Sequence, residues 1–232
     1  MSALHSTTIG GVVFDLDGVL VDSEHLWEEN WTSYAAGRGY GWLPADTATV
    51  QGMSVPEWSA YMAARLGYNA PREIADAVID GMIAALDGGR VDPLPGAAEM
   101  VAAAAAAAPI AVASSAPRRL IGAVLEATEL QPYFTAYVSS EEVARGKPSP
   151  DVYLTAARLI AVPAAVCIGI EDSSNGIRAA AAAGMTVVAI PNPVYPPQPD
   201  ALALCAMIAQ SPDDVRQFLI DSLPAPRQSS GA

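Results

Sequence analysis

The stretch Ile9-Gly-Gly-Val-Val-Phe-Asp-Leu-Asp17 decides how the chain is read. It is a short apolar run ending in carboxylates, the pattern of a buried parallel strand with chemistry at its C-terminal end. The pattern returns downstream. Pro109-Ile-Ala-Val-Ala-Ser-Ser115 ends in hydroxyls, and Ala164-Ala-Val-Cys-Ile-Gly-Ile-Glu-Asp172 ends in two acids. Thr186-Val-Val-Ala-Ile190 is stopped by Pro191, and Tyr137-Val-Ser-Ser140 is a short strand between them.

Helical stretches separate these strands. Ala97–Ala108 is alanine-rich and strongly helix-forming. Arg118–Thr128 places Leu120, Ile121, Val124 and Leu125 on one face. Asp151–Ile160 and Asn175–Ala183 follow, the second closed by Gly184. Alternation of this kind predicts an α/β fold with a parallel sheet covered on both faces.

One region breaks the alternation. From about Ser23 to Leu86 there is no strand pattern, only amphipathic stretches at Glu24–Arg38, Val55–Leu66 and Arg72–Leu86, punctuated by glycine turns. The expected division is a discontinuous core of residues 1–17 and 90–223, a helical cap at 18–89, and a disordered tail at 224–232.

The 232 residues are 52% apolar and 16% charged, so a large core is expected. A net charge of -13 argues against nucleic acid or an anionic membrane as partner, because both require clustered positive charge. Lys147 is the one lysine, so a mechanism that needs a lysine elsewhere is excluded. His5 and His25 are the only histidines, too few for a histidine-based zinc site and a poor start for a Ser-His-Asp hydrolase. Cys167 and Cys205 form no CxxC and read as small buried residues in a reducing compartment. The N-terminus carries no signal-peptide pattern, and the apolar stretch around Met100–Ala113 is too short to span a bilayer. A cytoplasmic protein, monomeric or a small homo-oligomer, is expected.

Asp-x-Asp by itself says little. Its company says more: Asp15 and Asp17, Ser114, Lys147, and Glu171 with Asp172 stand at strand ends or in the loops that follow. In an open α/β sheet such groups converge beyond the carboxyl ends of the strands. They suit a phosphate ester. Asp15 and Asp172 offer carboxylates, and Asp17 a main-chain carbonyl, to magnesium, which prefers hard oxygen ligands. Lys147 and Ser114 can hold phosphoryl oxygens. Asp15 can attack phosphorus to form an aspartyl-phosphate, with Asp17 as acid and then base. Glu171 reads as a partner of the metal through other groups rather than a direct ligand.

Phe14-Asp-Leu-Asp-Gly-Val-Leu-Val-Asp-Ser-Glu24 resembles the first motif of the haloacid dehalogenase superfamily. Ser114, Lys147 in Gly146-Lys-Pro-Ser-Pro-Asp151, and Ile170-Glu-Asp-Ser-Ser-Asn-Gly176 resemble the second, third and fourth, in order, over residues 9–190. The resemblance implies a Rossmann-like core with a helical cap inserted after the first motif, similar to the subgroup of β-phosphoglucomutase and small sugar-phosphate phosphatases.

Dehalogenases of this superfamily lack the second acid, whereas Asp17 is present. Phosphonatases use a cap lysine, and this cap has none. Mutases carry a histidine after the first motif and a cap arginine; Trp27 and Val55 stand at those positions here. The expectation is therefore a magnesium-dependent phosphatase of a small phosphorylated metabolite, a sugar or polyol phosphate. A phosphosugar mutase is the alternative, and a non-catalytic binding protein a more distant one. Trp27, Gln51, Met53 and Trp58 are candidates for choosing the substrate, against the plainer reading of Trp and Met as cap core. Arg118 and Arg119 read as a solvated helix face, His25 as a partly buried packing residue, and Glu24 as a brace at the hinge.

Overall fold

A computed structural model describes residues 9–223. The expected disordered tail at 224–232, and His5, lie outside those residues. In chain order the strands are β1 (Gly11–Phe14), β2 (Val21–Asp22), β3 (Asp92–Pro93), β4 (Ile110–Ser114), β5 (Ala136–Ser139), β6 (Cys167–Glu171), β7 (Thr186–Ala189) and β8 (Met207–Ile208). The helices are α1 (Glu24–Ala36), α2 (Pro44–Val50), α3 (Val55–Leu66), α4 (Pro71–Asp87), α5 (Ala97–Ala107), α6 (Arg118–Ala127), α7 (Asp151–Leu159), α8 (Ser174–Ala182), α9 (Pro199–Leu202) and α10 (Pro212–Ser222).

Six strands form one parallel sheet in the order β5-β4-β1-β6-β7-β8. β1 lies inside it, with Val12 opposite Ile110 on one side and Ile168 on the other. All four of its residues are buried, which is why its apolar run is unbroken. Alternate strand residues feed two cores. Val12, Phe14, Ile110, Val112, Ile168 and Ile170 pack with α5, α6 and α10, while Val13, Ala111, Ala113 and Val187 pack with α7 and α8. The result is a Rossmann-like sheet covered on both faces, as the alternation predicts.

The strand ends place the chemistry. β1 stops at Phe14, three residues before the end of the quoted run. Asp15 keeps one sheet bond, its N–H donating to the Ile170 carbonyl at 2.9 Å. The chain then turns at Gly18, where φ is +75° and a side chain would strike the Asp172 carboxylate. A close turn thus carries both Asp15 and Asp17 over the edge of the sheet.

Between β2 and β3, α1 to α4 make the inserted helical cap, and β2 and β3 pair antiparallel where the chain enters and leaves it. α3 begins at a capping box, with the N–H and hydroxyl of Ser54 donating to Glu57. It ends at Gly67, left-handed with φ +62°. α2 is absent from the expected helices: seven residues opened by Pro44 have no long periodic face to read. It is fixed instead by Asp46, which is buried and accepts from Leu43 N, Tyr61 Oη and Arg65 Nε at 3.0, 2.6 and 2.8 Å. β8, α9 and α10 extend the core beyond the last strand expected from the sequence, and α10 packs on α5.

Cys167 is buried as expected, but Cys205 is only half-buried. No helix among the described residues is long and apolar enough to cross a membrane.

Candidate active site

The strand ends and the cap enclose a cleft that opens to solvent, with about 640 Å³ of space when its mouth is included. Asp15, Asp17, Ser114, Lys147 and Asp172 line it from the core, and Trp27, Gln51, Met53 and Trp58 line it from the cap. Residues far apart in sequence are thus brought together in the pattern expected at the carboxyl edge of a parallel sheet.

Lys147 organises the floor. Its ammonium lies 2.5 Å from Asp15 Oδ1 and 2.6 Å from Glu171 Oε1, with all three side chains buried. Burial pulls Lys147 down; the charges of Asp15 and Glu171 more than offset that, so it sits above its ordinary value and remains charged. Burial pushes Asp15 up to about 8 against the attraction of Lys147. Burial also holds Asp172 well above the usual carboxylate range, reinforced by Glu171 and Asp15.

Glu171 is fully committed. Oε1 accepts from Lys147 and from Tyr153 Oη at 2.7 Å, and Oε2 accepts from the N–H groups of Asp172 and Ser173 and from the Ser173 hydroxyl. A side chain at Gly176 would overlap this carboxylate, so the first turn of α8 packs directly against it. Ser114 is buried at the end of β4. Its oxygen accepts from Ala116 N at 3.0 Å, which leaves the hydroxyl proton free to donate.

Asp17 is set apart from this group. Its Oδ1 accepts from the Ser23 hydroxyl and, at 3.1 Å, from the indole Nε1 of Trp27. Glu24, in the first turn of α1, accepts from Gln51 in the cap and from Asn192 in the loop after β7. Burial pushes Glu24 up to about 7, with Asp17 and Asp22 adding to the rise.

Asp15, Glu171 and Asp172 each offer a carboxylate oxygen, and these atoms lie within 4.8 Å of one another. Three buried acids share one ammonium. Hard oxygen donors with surplus negative charge fit a divalent cation. With Glu171 occupied by five donors, Asp15 and Asp172 are the side chains with lone pairs to spare.

Three residues fall elsewhere. Arg118 pairs with Glu142 at 3.0 Å, and Arg119 with Asp80 of α4 at 2.9 Å, a surface link between core and cap. His25 is exposed beside Asp22 rather than partly buried, because it points off α1 opposite buried Leu26 and Trp27. Ser23 lies within the first motif but is marked as a partner of Asp17 only by its contact, and Trp31, Tyr153 and Asn192 carry no motif at all.

The family model for haloacid dehalogenase-like hydrolases matches residues 9–184. The chain belongs to that family. This haloacid dehalogenase-like hydrolase is 33% identical to the protein CbbY of Rhodobacter capsulatus over 192 residues, covering 78% of this chain and 85% of that one. It is also 33% identical to hexitol phosphatase B of Escherichia coli over 189 residues, covering 78% and 83%. Among solved structures it superposes on CbbY from Rhodobacter sphaeroides in complex with phosphate, with a TM-score of 0.78, 25% identity and coverage of 90% and 96%. The hydrolase fold and its cap, expected from the ordered motifs, are thus those of the family.

Proposed function

We propose that this hydrolase is a cytoplasmic, magnesium-dependent phosphatase of a small phosphate monoester, a sugar or polyol phosphate, acting through an aspartyl-phosphate on Asp15. The observation that carries it is the different partners of two carboxylates lining one cleft. Asp15 is tied to Lys147 on the cleft floor, and Asp17 is held by Trp27 and Ser23. Two acids in different settings suit two roles. The similarity to hexitol phosphatase B supports the reaction class.

In this reading Asp15 attacks phosphorus, and the bond from phosphorus to the ester oxygen breaks. Asp17 gives its proton to that oxygen, releasing an alcohol. Asp17 then takes a proton from water as the water oxygen attacks phosphorus, the bond to Asp15 breaks, and phosphate leaves. Lys147 and the Ser114 hydroxyl hold the phosphoryl oxygens. Magnesium held by Asp15, Asp172 and the Asp17 carbonyl would neutralise phosphoryl charge. Glu171 positions Lys147. We assign residues 1–17 and 90–223 to the core and 18–89 to a cap that closes on the β2–β3 ribbon and excludes water. Trp27 and Val55, in place of the mutase histidine and arginine, favour hydrolysis, and the two free cysteines accord with the cytoplasm.

The test is phosphate release from a panel of metabolite esters with magnesium, followed by phosphorus NMR. Free phosphate from the wild type and a loss of about a thousandfold or more in Asp15→Asn are expected. An isomerised ester would make the protein a mutase, and full activity in Asp15→Asn would remove the nucleophile assignment.

A further inference from the structure

The charge and hydrogen-bond inventory of the cleft narrows the substrate. Among the described residues Lys147 is the sole cation lining it, and Asp15 and Glu171 pin that ammonium to the floor. Of the described arginines, eight are paired with acids outside the cleft, and Arg72 and Arg158 do not line it. One ammonium and the metal site both serve the phosphoryl end. Among the described residues the rest of the lining carries no positive charge, and it includes Glu24.

The cap side of the cleft is aromatic. Trp27, Trp31 and Trp58 pack on one another with ring centroids 5.7 to 6.2 Å apart. Trp31 is 5% exposed, and its indole N–H is buried with no acceptor among the described residues. A buried donor without a partner is unfavourable, and such a group in a binding cleft calls for a ligand oxygen. Gln51 gives its NH₂ to Glu24 and keeps its carbonyl oxygen for a hydroxyl.

We propose that the substrate bears one phosphate on an uncharged, hydroxylated leaving group, whose C–H face lies on the indole wall while one of its oxygens accepts from Trp31 Nε1. Esters with a second phosphate or a carboxylate are disfavoured, because that charge would enter a cleft whose lining offers no second cation to pair with it. The proposal rests on the phosphatase reading and adds the recognition chemistry of the leaving group.

The experiment measures kcat/KM for a hexitol 6-phosphate, a hexose bisphosphate, phosphoglycolate and p-nitrophenyl phosphate with wild type and Trp31→Phe. It also measures binding of the same esters to Asp15→Asn by indole fluorescence. The hexitol ester is expected to exceed the bisphosphate and phosphoglycolate by about tenfold or more in both measurements. Trp31→Phe is expected to lower kcat/KM about tenfold for the hexitol ester, chiefly through KM, and less for p-nitrophenyl phosphate. Equal or better use of the doubly charged esters, or an equal loss on both esters in Trp31→Phe, would overturn the proposal. Selective binding to Asp15→Asn without turnover by the wild type would sink the phosphatase reading and uphold this one.

Discussion

The indole nitrogen of Trp27 donates a 3.1 Å hydrogen bond to Oδ1 of Asp17, the same oxygen that accepts from Ser23. A cap residue therefore fixes the orientation of a core carboxylate. Trp27→Phe keeps most of the ring packing and deletes the donor. A fall in kcat of about tenfold with little change in KM is expected in steady-state assays. A change confined to KM would mean that Trp27 only touches substrate.

Much of this site was legible in the sequence. The strand ends were readable because each buried strand is a continuous apolar run whose first polar residue falls at the sheet edge. Lys147 was readable because no other lysine competes with it. Contacts made across the fold were not. Glu24 and Asn192 meet only because β7 brings its following loop beside the start of α1. Trp31 looks like any apolar helix residue until its unpaired N–H is seen. Trp27 was read as a substrate-choosing candidate, whereas its clearest contact is with Asp17. α2 escaped notice because its order comes from buried Asp46 rather than from periodicity.

Glu24 links pH to stability. Burial raises it to about 7 while Asn192 and Gln51 pull the other way and the charges of Asp17, Asp22 and Asp172 face it. The folded state thus binds a proton that the unfolded chain has released above roughly pH 4.3. The stability tied to that proton is complete below the unfolded value and is lost as pH rises through about 7. In metal-free protein, urea unfolding at about pH 5 and pH 7.5 should show Glu24→Gln losing less stability than wild type. The difference should be on the order of 1–2 kcal/mol after solvent screening. Parallel pH curves would count against it.

Asp172→Ala removes one of the two acids with lone pairs to spare. Added magnesium is expected to raise the Tm of wild type and to leave that of Asp172→Ala unchanged, with most of the rate lost as well. An undiminished Tm rise in the variant would take Asp172 out of the metal site.

Gly176 has no room for a methyl group, because Glu171 stands where it would go. Gly176→Ala should cost about 3 kcal/mol in urea unfolding and depress activity, because Lys147 follows Glu171. Gly41 has open space around it, and Gly41→Ala should stay within about 0.5 kcal/mol of wild type.

The sole lysine is also 3% exposed and doubly ion-paired. Amine-directed chemistry, whether a fluorescent succinimidyl ester or a cellular acetyl donor, therefore meets no lysine on the folded surface. Its only lysine target opens when the floor of the cleft comes apart. Acylation of Lys147 is then a covalent record of unfolding, and it would bar the modified chain from rebuilding the phosphoryl clamp.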